Sequence, residues 1–298
     1  MLEATSGERR TRATATPVAA EPGAGAAPGA VTVREDQRLI LALGGHEFSR
    51  RRGNEALRDY VLALAPATRP RVCLLPTASG DPHDQIAAFR RSMGGFDCEL
   101  SHVSLFRLES ERVSVEKHLL TRDVIYVGGG SMVNLLAIWR AHSLDRVLRR
   151  AWECGVVLCG QSAGAMCWFE AGVSRSAGAA SDVPGLGFVP GVLSVHYHRD
   201  PDRRRALHAA VARRRATGYG VDDGAGLLVR GTSPAAAVSG REGAGVWRVE
   251  TNGGETVTET PLAHAPIPDP RPAIDEVPAA VRELRRVREA RARHRRLR

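Results

Sequence analysis

The segment at residues 160–164 has the sequence Gly-Gln-Ser-Ala-Gly, with Ser162 at its centre. An apolar run at residues 155–159 precedes it and residues 165–169 continue it, a pattern that predicts a buried strand, a sharp turn and a helix. On such a turn a serine hydroxyl projects from the carboxyl edge of the sheet, and the next N–H, that of Ala163, can bind an oxyanion. The motif makes Ser162 a candidate nucleophile, although a tight turn of this kind also fits α/β proteins without that chemistry.

A nucleophilic serine also needs donors for the developing oxyanion. Three glycines at residues 128–130 follow a predicted strand and precede a predicted helix at residues 132–139. The N–H groups of Gly129 and Gly130 can bind an anion or an oxyanion in such a turn. A phosphate loop is an alternative, but the segment lacks a Walker lysine and G-x-G-x-x-G spacing. A plain structural turn also fits.

The chain has ten histidines, one of which could be the general base for this serine. His196 and His198 lie on a predicted strand, where residues i and i+2 face the same side. One of them is a candidate general base, or both together could bind a metal. A surface histidine without chemistry is the remaining alternative.

Continuous apolar segments alternate with amphipathic ones along the chain, which predicts an α/β fold with a mostly parallel sheet flanked by helices. Ligands of such sheets bind at the carboxyl ends of the strands, where Ser162 and the glycine turns would meet. After Gly218 the pattern changes to short segments that predict antiparallel strands. The predicted strands are residues 38–43, 72–75, 98–105 and 124–127, and the predicted helices are residues 54–65, 82–92 and 144–154.

Composition divides the chain into three parts. Residues 1–36 are rich in Ala, Gly, Pro and Thr and are predicted to be disordered. Residues 37–260 are predicted to form the α/β domain, and residues 261–298 a Pro-rich linker and a basic helix. Residues 281–298 hold nine arginines and two glutamates, and so carry seven of the nine net positive charges of the chain. That tail could bind nucleic acid, but a solvated terminal helix is the favoured interpretation.

The five cysteines lie mostly in apolar segments without C-x-x-C spacing, which favours buried free thiols in a reducing cytoplasm. No run reaches the roughly 18 apolar residues of a membrane span, and the N-terminus has no secretory h-region. We therefore expect a cytoplasmic protein with no membrane or nucleic-acid partner, no cofactor and no metal. The sequence leaves open whether it is a monomer or a homodimer.

Several segments together resemble the peptidase E family of serine peptidases (family S51), which includes the cyanophycinases. The resemblance covers roughly residues 38–250. The matching segments are Leu-Ala-Leu-Gly-Gly at residues 41–45, Leu-Pro-Thr-Ala-Ser-Gly at residues 75–80, the three glycines before Asn134, Gly-Gln-Ser-Ala-Gly-Ala at residues 160–165, Pro190-Gly191 leading to His196-Tyr197, Arg203-Arg204, and Asp222-Asp223-Gly224.

The resemblance implies a fold like that of class I glutamine amidotransferases. It also implies metal-free hydrolysis of dipeptides or short peptides with N-terminal aspartate. The resemblance further implies that Ser162 is the nucleophile and that His196 is the base. Gly129, Gly130 and Ala163 are then the oxyanion donors.

The chain departs from the family pattern where an acid should orient the histidine. Members of the family usually place that acid roughly 13–18 residues after the serine, but residues 174–180 contain none. Glu170 would be roughly 12 Å from Ser162 on a straight helix, which is too far. Asp182 follows a Gly/Ala/Ser stretch that can loop back, so we expect it to be the acid. Two further differences, Ser131 for a usual Asn and His46 after the glycine pair, bear on the substrate pocket.

Arg175 stands where that acid is missing, and a guanidinium can bind an acidic substrate side chain bidentately. An exposed loop arginine is the alternative.

The expected function is thus a cytoplasmic serine peptidase acting on short peptides. The rivals are an α/β-hydrolase esterase, whose triad order the chain does not follow, and a weakened relative that binds an acidic peptide without efficient turnover.

Overall fold

The structure is a computed structural model that describes residues 32–45, 54–110, 114–252 and 256–265 of the 298-residue chain. The predicted disordered segment up to residue 31, and the predicted linker and basic helix from residue 266 onwards, lie outside the described residues. Among the described residues, no helix combines the length and apolarity that a membrane crossing requires.

Thirteen strands and seven α-helices make up the described part of the chain. The strands are β1 (Leu39–Leu43), β2 (Arg71–Leu75), β3 (Glu99–His102), β4 (Val124–Val127), β5 (Val157–Gln161), β6 (Phe169–Ser174), β7 (Ser181–Pro184), β8 (Val189–Val195), β9 (Gly218–Val221), β10 (Ala225–Arg230), β11 (Ser233–Ser239), β12 (Val246–Thr251) and β13 (Val257–Pro261). The helices are α1 (Asn54–Ala63), α2 (His83–Met93), α3 (Val115–Leu119), α4 (Met132–Ala141), α5 (Leu144–Glu153), α6 (Ala163–Met166) and α7 (Pro201–Arg214).

The larger sheet has seven strands in the order β11-β10-β1-β5-β4-β2-β3. Its five strands from β1 to β3 run parallel, whereas β10 and β11 are antiparallel additions at one edge. Alternate side chains of each strand enter different layers, because successive residues point to opposite faces. Leu41 and Leu43 pack with α1 and α2, while Ile40 and Ala42 pack with α4 and α5. The predicted mostly parallel, helix-flanked sheet is confirmed.

A second, six-stranded sheet has the order β13-β12-β9-β8-β6-β7. Strands β6, β8 and β9 are parallel, and the outer strands pair antiparallel. One face shares a core with α4, α5 and the larger sheet, through residues such as Leu193 and Tyr219. Helix α7 covers the other face, where Leu207 and Val211 pack on Val192. The carboxyl ends of β5, β8 and β9 are thereby brought to one region of the molecule.

Two segments differ from the sequence prediction. The predicted helix after Ser162 is a single turn that ends at Met166, because the apolar residues that follow form the buried strand β6. At the other end of the domain, the chain remains hydrogen-bonded beyond the predicted boundary at residue 260. The N–H of Ala237 donates to the carbonyl of Ala263 (3.1 Å), and the N–H of Ala265 donates back to that of Ala237 (2.9 Å).

Candidate active site

Ser162 lies on a sharp turn between β5 and α6, with φ 52° and ψ −115°. Such a conformation is unusual for a residue with a side chain and is found where the surrounding structure enforces it. Here the enforcing contacts are close backbone approaches. A Cβ on Gly160 would lie 2.2 Å from the carbonyl oxygen of Gly164, and a Cβ on Gly164 would lie 2.4 Å from that of Val127. The two glycines of the motif are therefore needed to hold the serine in place.

The serine hydroxyl faces His196. Ser162 Oγ lies 3.1 Å from Nε2 of His196, which follows β8 and also has a positive φ, 56°. The other ring nitrogen, Nδ1, is hydrogen-bonded to Oδ1 of Asp223. With Nδ1–H donated to this carboxylate, Nε2 is the ring nitrogen that can accept a hydrogen bond from the Ser162 hydroxyl. The three side chains form one hydrogen-bonded chain.

Neighbouring strands place the histidine and the aspartate together. Strands β8 and β9 run parallel with Val195 opposite Val221, so the residues after these two positions emerge side by side at the carboxyl edge. The side chains are largely buried, with 21% of His196 and 11% of Asp223 exposed. The second oxygen of Asp223, Oδ2, accepts a hydrogen bond from Arg199 at 3.1 Å. Both oxygens of this carboxylate are therefore engaged.

The adjacent aspartate, Asp222, has a different task. Its Oδ1 accepts from the N–H of His198 at 3.0 Å, and its Oδ2 from the N–H of Gly245 at 3.3 Å. His198 Nδ1 also lies 3.1 Å from Asp222 Oδ1, so this histidine faces Asp222 and not the serine. Within the residues that the structure describes, no three His, Cys, Asp or Glu side chains are grouped as metal ligands.

Two glycines at the end of β1 make room for this arrangement. A Cβ on Gly45, whose φ is +150°, would lie 2.3 Å from Cε1 of His196 and 2.9 Å from Oδ1 of Asp223. A Cβ on Gly44 would lie 1.9 Å from the carbonyl oxygen of Asp222. The Gly-Gly pair after the first strand thus lets the larger sheet approach the histidine–aspartate pair.

The expected oxyanion donors lie beside the serine. The Cβ position of Gly129 is 3.3 Å from Cβ of Ser162, and Ala163 begins α6 directly after the serine. Gly130 has φ +150°, and its Cβ position is 2.2 Å from the carbonyl oxygen of Ala78. The N–H groups of Gly129, Gly130 and Ala163 have no acceptor in the described part of the chain. They are therefore available to an oxygen atom bound at Ser162.

Asp182 does not reach His196, and the expectation that it orients this histidine is corrected. Residues 181–184 form the edge strand β7 and not a flexible loop, with Asp182 opposite Val173 of β6. Its carboxylate is bound by Arg213 and Arg214 of α7. Burial raises the pKa of this carboxyl, but the two guanidiniums outweigh burial and the pKa is lowered. Asp182 is a structural ion-pair partner that holds α7 to the edge of the second sheet.

Arg175 is also engaged within the protein, which differs from the expected contact with substrate. Its guanidinium binds Asp200 Oδ2 at 2.8 Å and Asp202 Oδ2 at 2.8 Å. Hydrogen bonds from Arg175 lower the pKa of Asp200 to about 2, and the same contacts raise the pKa of Arg175. Asp200 is the N-cap of α7, so this cluster secures the beginning of the helix.

The sequence reasoning missed Asp223 as the partner of His196, although a signal was present. Asp-Asp-Gly at residues 222–224 is among the family motifs, and it directly follows a short apolar strand. The usual spacing after the serine points to residues 175–180 instead. Only the side-chain contacts distinguish the two neighbouring aspartates. Asp223 is hydrogen-bonded to His196, whereas Asp222 accepts from the N–H groups of His198 and Gly245.

Comparison with known proteins agrees with this architecture. Residues 40–236 match the model of peptidase family S51, and the chain belongs to this family. Over 232 residues the chain is 41% identical to the uncharacterized peptidase YgaJ of Bacillus subtilis (strain 168), an alignment that covers 78% of this chain and 97% of YgaJ. The resemblance inferred from the motifs is confirmed. The chain is thus a member of a hydrolase family whose proteins are peptidases.

A solved structure shares the fold. A peptidase from an acI-B1 Actinobacterium is similar with a TM-score of 0.56 at 17% identity, covering 76% of this chain and 95% of that one. A putative peptidase E protein from Listeria monocytogenes EGD-e gives a TM-score of 0.48 at 13% identity, covering 76% of this chain and 99% of that one.

Proposed function

We propose that this protein is a serine-type peptidase that hydrolyses dipeptides or short peptides through an acyl-enzyme on Ser162. The observation that carries the proposal is the hydrogen-bonded chain from Ser162 through His196 to Asp223. Nucleophile, base and orienting acid in this order are the arrangement that activates a serine hydroxyl.

In the proposed reaction Ser162 Oγ attacks the peptide carbonyl carbon while its proton passes to Nε2 of His196. The tetrahedral intermediate collapses as His196 gives that proton to the leaving amine, and the C–N bond breaks. Water then attacks the ester, loses a proton to His196 and releases the acid, and Ser162 recovers its hydroxyl proton. Asp223 holds the ring by accepting from Nδ1–H and stabilises the imidazolium that forms.

Three N–H groups support the intermediate in this proposal. The carbonyl oxygen becomes negatively charged when Ser162 attacks, and backbone donors held in place before the reaction stabilise that charge. Gly129, Gly130 and Ala163 flank the serine and have no acceptor within the described ranges. The proposed steps use groups of this chain and water.

The proposed substrate is a short peptide with an N-terminal aspartate. This preference rests on the family resemblance, because Arg175, the residue expected to bind an acidic side chain, is paired with Asp200 and Asp202. A cytoplasmic location also remains a proposal. It is supported by the five cysteines, all of which lie in the described part of the chain and form no disulfide there.

The alternative of a weakened relative that only binds an acidic peptide loses its main argument. That argument was the lack of an acid for the histidine, and the hydrogen bond between Asp223 and His196 supports Asp223 as that acid in this proposal. A fluorophosphonate separates the two functions, because it labels an activated serine and leaves an inactive one unmodified.

The decisive experiment is hydrolysis of a panel of Asp-X, Glu-X and Ala-X dipeptides, with Ser162→Ala as the control. We expect cleavage of Asp-X that disappears in the Ser162→Ala protein, together with fluorophosphonate labelling of the wild type alone. Labelling without cleavage of any peptide in the panel would keep the serine chemistry and refute the substrate. Neither labelling nor cleavage by the folded protein would refute the peptidase function.

A further inference from the structure

The glycine turn at residues 128–130 lies between Ser162 and a polar side chain of α2. A Cβ on Gly129 would lie 3.3 Å from Cβ of Ser162, whereas a Cβ on Gly128 would lie 3.1 Å from both Nε2 and Oε1 of Gln85. Gln85 is in the first turn of α2 and contributes nothing to the triad itself. The turn that carries two of the proposed oxyanion donors therefore adjoins the serine through one glycine and α2 through its neighbour.

Gln85 is hydrogen-bonded to the backbone of this turn. Its Nε2 donates to the carbonyl oxygen of Gly129 at 3.4 Å, and within the described ranges that carbonyl accepts from no backbone N–H. Its Oε1 accepts from the hydroxyl of Ser79 at 2.5 Å. The orientation of the amide follows from these partners, because a carbonyl oxygen only accepts and must face the NH2 group. Gln85 thus connects Gly129 to the turn that follows β2.

Helix α2 and the turn after β2 support this amide. Ile86 and Phe89 of α2 are buried in the same core as Leu74 of β2. The turn after β2 also holds the far end of the glycine turn, because the carbonyl of Ala78 accepts from the N–H of Ser131 at 2.7 Å. A side chain that extends from a packed helix and is hydrogen-bonded at both ends of its amide can hold a neighbouring group in one orientation.

The bond to the Gly129 carbonyl also determines where the next N–H points. The carbonyl of Gly129 and the N–H of Gly130 belong to one planar trans peptide unit and point in opposite directions. With the carbonyl held by Gln85, the N–H of Gly130 points away from that side chain. Glycine on both sides allows this unit to rotate easily, because neither residue has a Cβ that restricts φ and ψ. A partner that holds the carbonyl therefore sets the direction of the N–H.

We propose that Gln85 is a positioning residue that fixes the Gly129–Gly130 peptide and so presents the N–H of Gly130 to the oxyanion formed at Ser162. This inference rests on the proposed peptidase function and adds to it a residue that acts through the backbone. Backbone donors are effective when they are oriented before the charge develops. Loss of the Gln85 amide should consequently destabilise the transition state more than the bound substrate, and lower kcat without raising KM.

Two substitutions test this role. Gln85→Met keeps the approximate length of the side chain but removes the donor, and should lower kcat about tenfold, because no side chain then holds the Gly129 carbonyl. Gln85→Glu places a carboxylate against that carbonyl. The carboxylate repels the carbonyl and attracts an N–H, so we expect the peptide unit to turn over and kcat to fall about 10²-fold or more, the loss on removing one oxyanion donor.

The measurements are kcat and KM for the best substrate of the dipeptide panel, the rate of fluorophosphonate labelling, and a crystal structure of each variant. Labelling should slow in parallel with kcat, and in the Gln85→Glu crystal structure the Gly130 N–H should face the introduced carboxylate. Gln37→Met and Gln37→Glu, in the short helix before β1, are the matched controls and should behave like the wild type.

Equal kcat and labelling rates in Gln85→Glu and Gln37→Glu would overturn the proposal, as would a raised KM at unchanged kcat. A Gly129 carbonyl that still faces α2 in the Gln85→Glu crystal structure would also overturn it. Gln85→Met introduces no charge and decides the question by the same rates if Gln85→Glu does not fold. If the wild type is neither labelled nor active, the peptidase proposal fails, while the crystal structures still decide whether Gln85 sets the direction of the peptide.

Discussion

Nδ1 of His196 is hydrogen-bonded to Oδ1 of Asp223 across 27 positions of sequence, because these residues follow neighbouring parallel strands of the second sheet. Ser162 follows β5 of the other sheet. Ser162 and His196 are therefore presented by different sheets, and the 3.1 Å between Oγ and Nε2 depends on how the two sheets pack. Gly45, which follows β1, lies in the narrow space between the two sheets, where a Cβ would collide with the His196 ring.

The acid of the triad can be identified by two matched substitutions. Asp223→Asn should lower kcat by about 10⁴-fold, the loss seen when the equivalent acid of a serine protease triad becomes an amide and the histidine adopts the wrong tautomer. Asp182→Asn should leave kcat unchanged, because Asp182 faces Arg213 and Arg214 and not His196. Rates of Asp-X hydrolysis and of fluorophosphonate labelling measure both effects. A large loss in Asp182→Asn with none in Asp223→Asn would reverse the assignment.

Because Gly45, which follows β1, lies close to His196, we expect a single added methyl group at this position to lower the turnover rate severely. In Gly45→Ala the new Cβ would lie 2.3 Å from Cε1 of His196, so the ring must move. Displacement of a catalytic group by about 1 Å costs on the order of 10²-fold in rate. Gly95→Ala is the control, because no atom lies within 4 Å of its Cβ position. Normal turnover by folded Gly45→Ala would contradict the described contact.

The pairing of Arg175 with two carboxylates predicts that it does not select substrates. Arg175→Gln should leave the preference among Asp-X, Glu-X and Ala-X dipeptides unchanged, because Asp200 and Asp202 occupy the guanidinium. The measurement is kcat/KM for each peptide, with wild type as the reference. A selective loss of Asp-X cleavage would instead restore Arg175 as the residue that binds the acidic side chain.

Glu259 on β13 predicts a pH dependence of stability. Its carboxylate accepts from Arg204 (2.7 Å), from the hydroxyl of Tyr197 (2.6 Å) and from His208 (2.5 Å). Burial opposes ionisation, but these hydrogen bonds prevail and lower the pKa of Glu259 from 4.5 to about 2. A carboxylate whose pKa is lower in the folded state stabilises the protein above the unfolded value, and this contribution is lost as the pH falls through the folded value.

Glu259→Gln should accordingly lower the free energy of unfolding above pH 4.5 and flatten its fall between pH 4.5 and about 2. Urea unfolding at a series of pH values measures the slope. Glu116→Gln is the control, since Glu116 and Arg150 form an ion pair of which nearly half is exposed. The same slope in Glu259→Gln and wild type would show that the hydrogen bonds of Glu259 do not cause the loss of stability at low pH.

Local patterns in the amino-acid sequence are sufficient to predict the strand and the turn that carry Ser162. Apolar runs ending in glycine specify the parallel strands, because buried strands need continuous apolar side chains and the turns at their ends need residues without a Cβ. The nucleophile turn around Ser162 and the glycine turn at residues 128–130 follow from the same pattern. Taken together, these motifs are also sufficient to assign the chain to peptidase family S51.

Which acid meets the histidine depends on the tertiary structure. Asp182 follows a Gly/Ala-containing segment, and Asp223 follows a short apolar strand. Neither local pattern shows which of the two carboxylates contacts His196. The parallel pairing of β8 with β9 brings the turn at residues 222–223 beside His196, where Asp223 contacts Nδ1. The pairing of β7 with β6 places Asp182 where Arg213 and Arg214 of α7 bind it. Strand pairing and ion pairing are long-range interactions, and their outcome depends on residues far apart in the chain.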